Sequence, residues 1–205
     1  MERNGIGYIS PRFSADDFLR LHLSVHSSEV DWERAIEIFR DRIEARYFDP
    51  ITNLLEREDD IEKNGFAVMA LNCLLVDTFY QFRDPDNHYE PRRRSEIFRR
   101  SNGAVYKEFL IRNFPAHFNF HKANLFYQDI RCGILHSAQT KHGSQLTYDK
   151  HYVVKVFERD KLRVDIRNFS EIMRHYYDSY IHQLELGDIP KRISFVKQMN
   201  KICRT

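Results

Sequence analysis

Cysteine, glycine and proline are all scarce in this sequence, and each scarcity narrows the class of protein. The 205 residues contain only three cysteines, Cys73, Cys132 and Cys203, and no two of them have the spacing of metal ligands. This usage indicates a reduced interior such as the cytoplasm, without a disulfide framework. Seven glycines and six prolines are too few for a turn-rich β-sandwich or for a disordered chain.

Long apolar runs are missing too. The longest nearly apolar stretch, residues 66–76, contains Asn72 and is shorter than the roughly 20 residues that span a bilayer. Residues 1–5 lack the basic-then-apolar order of a signal peptide. We therefore expect a cytoplasmic protein with no membrane partner.

What the sequence does contain is enough apolar side chain for one sizeable core, with 42% hydrophobic residues, sixteen Phe and eleven Tyr. This length predicts a single domain over residues 1–205. Apolar spacing predicts a first helix capped by Asp31, which Pro50 interrupts or ends, after a leading segment of little periodicity. Residues 63–82 are apolar nearly all round, which is typical of a helix in the middle of a bundle. Residues 91–113 and 119–138 read as a third and a fourth helix.

The β signal lies in the C-terminal third. Residues 151–157 are rich in Val and aromatics, and residues 162–167 alternate between apolar and charged side chains. With a turn at residues 159–161, they predict a small hairpin. Asn168 is then expected to cap a fifth helix that ends at Gly187, and Pro190 to begin a short basic helix. The predicted fold class is mainly α, with a helical core over residues 31–140 and a β-hairpin plus C-terminal helices over residues 141–205.

The fourth helix carries the sharpest motif, Arg131-Cys132-Gly133-Ile134-Leu135-His136. An arginine offers a planar, permanently charged fork that suits phosphate, and a histidine exchanges protons near neutral pH. Gly133 lies one turn before His136, where a side chain would cover the imidazole. Five residues turn a helix by about 140° beyond a full turn, so Arg131 and His136 do not share a face, although long side chains can bend toward one groove. The alternative reading places Arg131 in a structural salt bridge and His136 in the core.

This stretch resembles the RNase members of the HEPN family (higher eukaryotes and prokaryotes nucleotide-binding), and looks most like a bacterial subgroup. Those proteins carry an Arg, four to six residues and then a His on a late helix of an all-α bundle. The resemblance covers about residues 31–140, and Cys132 stands where many members have Asn, Asp or His. It implies a homodimer with a composite active site, in which Arg131 and His136 from both chains cleave RNA without a metal. It also implies a possible role as a toxin or an antiviral defence effector.

Asp77 is a candidate supporting residue. It lies in the helix that is apolar on all sides, where a bare carboxylate is costly to bury. Arg131 or His136 would neutralise it, and Asp77 would then orient the pair. The alternative is that Asp77 points to an exposed seam or caps a neighbouring helix.

Charge is distributed unevenly along the chain. Residues 28–62 hold twelve acids and five bases, and residues 92–112 hold seven bases and two acids. The basic stretch contains Arg92, Arg93 and Arg94, followed by Arg99 and Arg100, which are candidates for binding an RNA backbone. Lys141, after the motif helix, is a further candidate for a phosphate contact, as is His142. Ordinary solvated helix faces explain the same pattern equally well.

No cofactor and no metal site are predicted. His117 and His121 have a spacing of four, but no acid or cysteine completes a ligand set nearby. The function predicted from the motif is therefore a metal-independent endoribonuclease whose partners are RNA and a second copy of itself, with an unidentified inhibitor or sensor. The alternatives are a non-catalytic HEPN module that binds RNA, nucleotide or protein, and a helical scaffold.

Overall fold

The chain folds mainly into helices, with a small three-stranded sheet toward its C-terminal end that further helices follow, so the predicted class is confirmed at this level. A computed structural model describes residues 2–3, 6–57, 61–83, 102–148 and 150–204. Within these residues the α-helices are α1 (Ala15–Leu19), α2 (Glu29–Ile43), α3 (Asp49–Leu55), α4 (Ile61–Arg83), α5 (Asn102–Asn113), α6 (Phe120–Leu125), α7 (Cys132–Ser137), α8 (Ile166–Glu185) and α9 (Ile189–Cys203). The strands are β1 (Glu2–Arg3), β2 (Ile6–Gly7), β3 (Gln145–Thr147), β4 (Val154–Phe157) and β5 (Lys161–Asp165).

The N-terminal segment is more ordered than its weak periodicity predicts. β1 and β2 pair antiparallel, and Ser14 and Asp17 form a reciprocal capping box that starts α1. Ser28 is the N-cap of α2, so the prediction of Asp31 as its cap was wrong. The Ser28 hydroxyl accepts the Asp31 amide at 3.2 Å and donates to the Asp31 carboxylate at 2.7 Å.

The first helix neither ends nor breaks at Pro50. A π-helical segment, Glu44–Phe48, joins α2 directly to α3. Pro50 falls in the first turn of α3, directly after the π segment.

α4 is the central helix, as predicted, but one of its faces is uncovered. It packs against α3, α5, α7, α8 and α9, and Val68, Met69 and Val76 are completely buried. Phe66 is nevertheless 39% exposed and Leu74 42% exposed. By length and composition alone, Lys63–Arg83 could cross a membrane, but 56% of that window is buried inside the protein, as is common for a core helix.

The predicted hairpin is present, and a third strand extends it. β4 and β5 pair antiparallel, with Val154 opposite Val164, while β3 pairs parallel with the other edge of β5. β3 was not predicted because three residues are too short to show an alternation. α8 is capped by Asp165, whose side chain accepts the Asn168 amide at 3.1 Å, so the prediction of Asn168 as the cap was wrong.

The two C-terminal helices complete the core that α2 and α4 begin. The predicted end of α8 is confirmed, because Gly187 follows it with a φ of 78°, which glycine adopts without strain. The Phe39 ring of α2 lies 4.7 Å from that of Phe82 and 5.4 Å from that of Phe195, measured between centroids. α7 packs beside α4, and this contact brings the predicted motif next to Asp77.

Candidate active site

The motif helix is continuous from α6 to α7, but a wider turn interrupts its α geometry. Asn119 caps α6 by accepting the Lys122 amide at 2.9 Å. Residues Phe126–Arg131 form a π-helical segment, in which the Cys132 amide donates to the Tyr127 carbonyl five residues earlier. Buried Phe126 anchors this segment, with its ring stacked 4.9 Å from that of Phe169. Such wide turns are frequent at functional sites.

Arg131, the last residue of the π segment, is paired with Asp77 of α4. The Arg131 Nη2 donates to Asp77 Oδ2 at 3.0 Å, and each side chain is 18% exposed. The structure therefore brings together two of the predicted site residues, with Arg131 as the partner of the carboxylate. The Arg131 Nε is buried and has no hydrogen-bond partner among the described residues. The Tyr127 ring, with its centroid 5.7 Å from Arg131 Cζ, covers one side of the guanidinium.

Burial and pairing act in opposite directions on this pair. Burial raises the pKa of Asp77, and the nearby charge of Arg131 reduces that rise without cancelling it. For Arg131, burial alone would lower the pKa, but the charge and hydrogen bond of Asp77 outweigh it and the pKa is raised. Arg131 thus remains a fixed cation in a partly dehydrated place, which suits an anionic ligand.

His136 lies near the end of α7 and is exposed, so it does not belong to the core. Its side chain makes no hydrogen bond or ion pair with any residue that the structure describes. Arg131 points to α4 and His136 points to solvent, about 140° away around the helix axis. Within one chain, therefore, the two are neighbours on one helix but are not in contact.

The reason for Gly133 differs from the prediction. A Cβ atom at this position would lie 2.4 Å from the Gln139 carbonyl oxygen and 3.3 Å from the Lys141 amide nitrogen. After α7 the chain turns sharply at Ala138, which has a φ of 49°, and passes directly over Gly133. The glycine therefore makes room for the returning backbone and does not serve to uncover the His136 ring.

Beside the motif lies a polar cluster that the sequence analysis missed. Asp129 is only 1% exposed, and its two carboxylate oxygens lie 2.7 Å from His142 Nδ1 and 3.0 Å from Ser144 Oγ. The Asp129 carbonyl also accepts the Lys141 amide at 2.9 Å. The sequence signal for this cluster was an acid between the apolar residues Phe126 and Ile130. The sequence does not show which hydrogen-bond donors reach the carboxylate.

The remaining predicted residues have mixed outcomes. Lys141 is half-buried over Gly133, and its amine has no polar partner within the described ranges. Arg99 and Arg100, like Arg92, Arg93 and Arg94, lie outside the described residues. In the part of the chain that the structure describes, no group of three His, Cys, Asp or Glu side chains could hold a metal ion.

A large pocket lies away from the motif, between α4, α5, α8 and α9. Its volume is about 960 Å³. Aromatic rings and basic side chains line it, and the basic ones are Arg83, Arg112, His117, His175 and Lys191. Neither Arg131 nor His136 reaches this pocket.

Comparison of the chain with known protein families, with curated proteins and with solved structures finds no match. The geometry of the residues themselves therefore carries the functional argument.

Proposed function

We propose that this protein is a metal-independent endoribonuclease of the HEPN type, in which Arg131 and His136 carry the reaction. The observation that carries the proposal is a guanidinium fixed by Asp77 on the same helix as an exposed imidazole that has no partner among the described residues. A fixed cation and a free proton-exchanging group are the two elements that phosphodiester cleavage needs when no metal takes part. A toxin or defence role follows from the resemblance alone.

In this reaction the ribose 2′-oxygen attacks the adjacent phosphorus. His136 takes the proton from the 2′-OH or donates one to the leaving 5′-oxygen. Arg131 stabilises the charge on the five-coordinate phosphorus, and Asp77 positions Arg131. The products are a 2′,3′-cyclic phosphate and a 5′-hydroxyl, so DNA, which lacks the 2′-OH, is bound without being cut.

The uncovered face of α4 supports a homodimer. Phe66, Ala70 and Leu74 follow one another at intervals of four residues, and none of the three is fully buried. The same face continues to Asp77, three residues after Leu74, and hence to the Arg131 pair. A second copy seated there would bury this stripe and bring its own Arg131 and His136 to the same cleft.

The test is cleavage of labelled RNA by the wild-type protein and by the His136→Ala variant in excess EDTA. We expect only the wild type to cut, and to leave cyclic phosphate ends. His26→Ala is the matched control, because His26 is equally exposed but lies in the loop before α2. A folded, dimeric His136→Ala variant that cuts at the wild-type rate would remove His136 from the mechanism. If the wild-type protein binds RNA without cutting it, the proposal that the protein is an endoribonuclease is refuted.

The pocket favours one second candidate, a non-catalytic module that binds nucleotides. Aromatic rings line a volume of about 960 Å³, which matches a base and its phosphates in size. Of the basic side chains around it, Arg112 is paired with Glu108 and Lys191 with Asp188. Titration with a fluorescent nucleoside triphosphate, on wild-type protein and on His175→Ala, tests this candidate. Binding that weakens in the variant, with no cleavage of RNA, would support the module over the enzyme.

A further inference from the structure

We propose that His142 is a second catalytic histidine, which donates a proton to the leaving 5′-oxygen, and that buried Asp129 positions it. This role rests on the proposed ribonuclease and adds to it a residue that lies outside the Arg-x4-His motif. Four observations carry it, namely the direction of the hydrogen bonds, the hydrogen bonding within the turn, the position of the ring and the charge around it.

The hydrogen bonds fix where the protons lie. The Leu162 N–H donates to Ser144 Oγ at 2.9 Å, which leaves the Ser144 hydroxyl hydrogen to donate to Asp129 Oδ2 at 3.0 Å. Asp129 is therefore an acceptor, and His142 Nδ1, at 2.7 Å from Oδ1, carries a hydrogen. The Nε2 atom on the other side of the ring is then the one that exchanges protons with a ligand.

The ring stands on a hydrogen-bonded turn and yet remains accessible. The Thr140 hydroxyl donates to the Ser144 carbonyl at 2.6 Å, and the Ser144 amide donates to the Lys141 carbonyl at 2.9 Å. His142 itself has a φ of 52°, a left-handed conformation that few non-glycine residues adopt. Its side chain is 75% exposed, so the held imidazole projects from the surface.

His142 and His136 lie on the same side of the motif helix. Gly133 and His136 are three residues apart within α7 and so lie on one helix face, and the turn that carries His142 passes over Gly133. Two turns separate Asp129 from His136, about 10 Å along the axis. The His136 side chain leans toward the start of the helix, and hence toward His142, because helical side chains point that way. A phosphodiester held between the two rings would lie about 140° around the helix from the Arg131 of the same chain, so its arginine contact would come from the second copy in the composite site.

The charges near His142 suit an RNA backbone. Lys141 lies between the two histidines, with its Cγ 3.3 Å from where a Gly133 Cβ would be. Lys161, the first residue of β5, lies on the other side of the turn, with its Nζ 3.7 Å from where a Gly143 Cβ would be. Its ion pair with exposed Glu158 is long, at 3.9 Å. Two cations beside an exposed imidazole attract a polyanion.

The second histidine completes the proton balance of the cleavage step. The 2′-O–H bond breaks and its proton goes to His136, while a new bond forms between the 2′-oxygen and phosphorus. The bond from phosphorus to the 5′-oxygen breaks, and the 5′-oxygen takes the Nε2 proton of His142. Asp129 Oδ1 lies 2.7 Å from His142 Nδ1 and can neutralise the doubly protonated ring that a general acid requires, whereas His136 has no acidic partner in the described structure. We therefore assign the acid to His142 and the base to His136. Afterwards His136 gives its extra proton to water and His142 takes one proton from water.

His142→Asn is the sharpest variant. The Asn amide nitrogen can replace Nδ1 as donor to Asp129, and Asn tolerates the left-handed backbone, but it transfers no proton. Two substrates are compared, uridylyl-adenosine and uridine 3′-(4-nitrophenyl phosphate), whose nitrophenolate leaves without being protonated. We expect the variant to lose about 100-fold or more on the dinucleotide and less than about 5-fold on the nitrophenyl ester. We expect His136→Ala to lose activity on both substrates, and the control His26→Asn to keep its activity on both.

The outcomes separate this role from the enzyme itself. If the wild type cuts both substrates and His142→Asn does so equally well, the ring has a structural role and the inference is wrong. If His142→Asn loses equally on both substrates, His142 is not the acid, which also overturns the assignment. Wild-type protein that cuts neither substrate refutes the ribonuclease and this role with it. For Asp129→Asn, a positioning role predicts the same contrast between the two substrates, which a general loss of folding would not produce.

Discussion

The clearest test of the architecture around the motif is the substitution Gly133→Ala. The new methyl group would start 2.4 Å from the Gln139 carbonyl oxygen, and this distance must rise above 3.0 Å for the variant to exist. The obstacle is backbone and not a flexible side chain, so the whole turn after α7 has to move. Because the Lys141 amide bonds to the Asp129 carbonyl at 2.9 Å, that hydrogen bond is the first to be lost.

Three contributions determine the change in the free energy of unfolding for Gly133→Ala. Overpacking costs about 1–3 kcal/mol, and the lost hydrogen bond costs about 1 kcal/mol. Alanine in place of glycine inside a helix returns about 1 kcal/mol. The free energy of unfolding should therefore fall by about 2 kcal/mol, which corresponds to about 4–8 °C in Tm for a chain of this length.

Gly65→Ala is the matched control, because Gly65 also lies inside a helix. Its added methyl group would meet only Ile166 Cδ1, at an ordinary 3.5 Å. We expect this variant to be as stable as the wild type or up to about 1 kcal/mol more stable. Urea unfolding followed by circular dichroism measures both. If Gly133→Ala stabilises the protein as Gly65→Ala does, the chain does not pass over Gly133 as described, and the position of His142 loses its basis.

Three further outcomes are expected. Asp77→Ala should lower the free energy of unfolding by about 2 kcal/mol, since it leaves the Arg131 charge partly buried, and adding Arg131→Met should recover part of that loss in a double-mutant cycle. Additive losses would show that the pair is not coupled. Leu74→Glu should convert a dimer to a monomer in sedimentation, and an unchanged dimer would place the interface elsewhere. The Lys191 side chain and amide lower the pKa of Asp188, so its stabilisation is complete above about pH 3.9 and is lost as pH falls through the lowered pKa. The stability difference between wild type and Asp188→Asn should therefore shrink in acid, and a constant difference in urea midpoints down to pH 2 would contradict this.

The sequence predicted the large elements because each has a long, regular pattern. In the hairpin, apolar and charged side chains alternate over several residues. The end of α8 was predicted from a single residue, Gly187. The N-caps of α2 and α8 were predicted three residues too late. Asp31 and Asn168 are the residues whose backbone amides the true caps, Ser28 and Asp165, accept. The predicted contact of Asp77 rested on one physical cost, the burial of a bare carboxylate. This cost left Arg131 or His136 as the partner, and the structure shows Arg131.

The parts of the site that escaped prediction depend on chain reversal. The role of Gly133 and the partners of Asp129 both arise because residues 138–144 fold back over the motif helix, and no periodicity encodes that return. The left-handed residues Ala138 and His142 are not glycines, so the usual signal of a tight turn is present only at Gly143. The sequence shows the acid at position 129, but the donors to its carboxylate, His142 and Ser144, come from the returning turn.

The π segment before the motif has a consequence for how such motifs are compared. A π turn holds one residue more than an α turn, so residues Phe126–Arg131 act as a single-residue insertion in the helix. Everything after the insertion is rotated relative to the buried face before it, and the direction of Arg131 toward α4 depends on that rotation. Two chains with the same hexapeptide from arginine to histidine therefore need not aim the arginine at the same neighbour. The length of the turn in front of the motif is part of what the motif specifies.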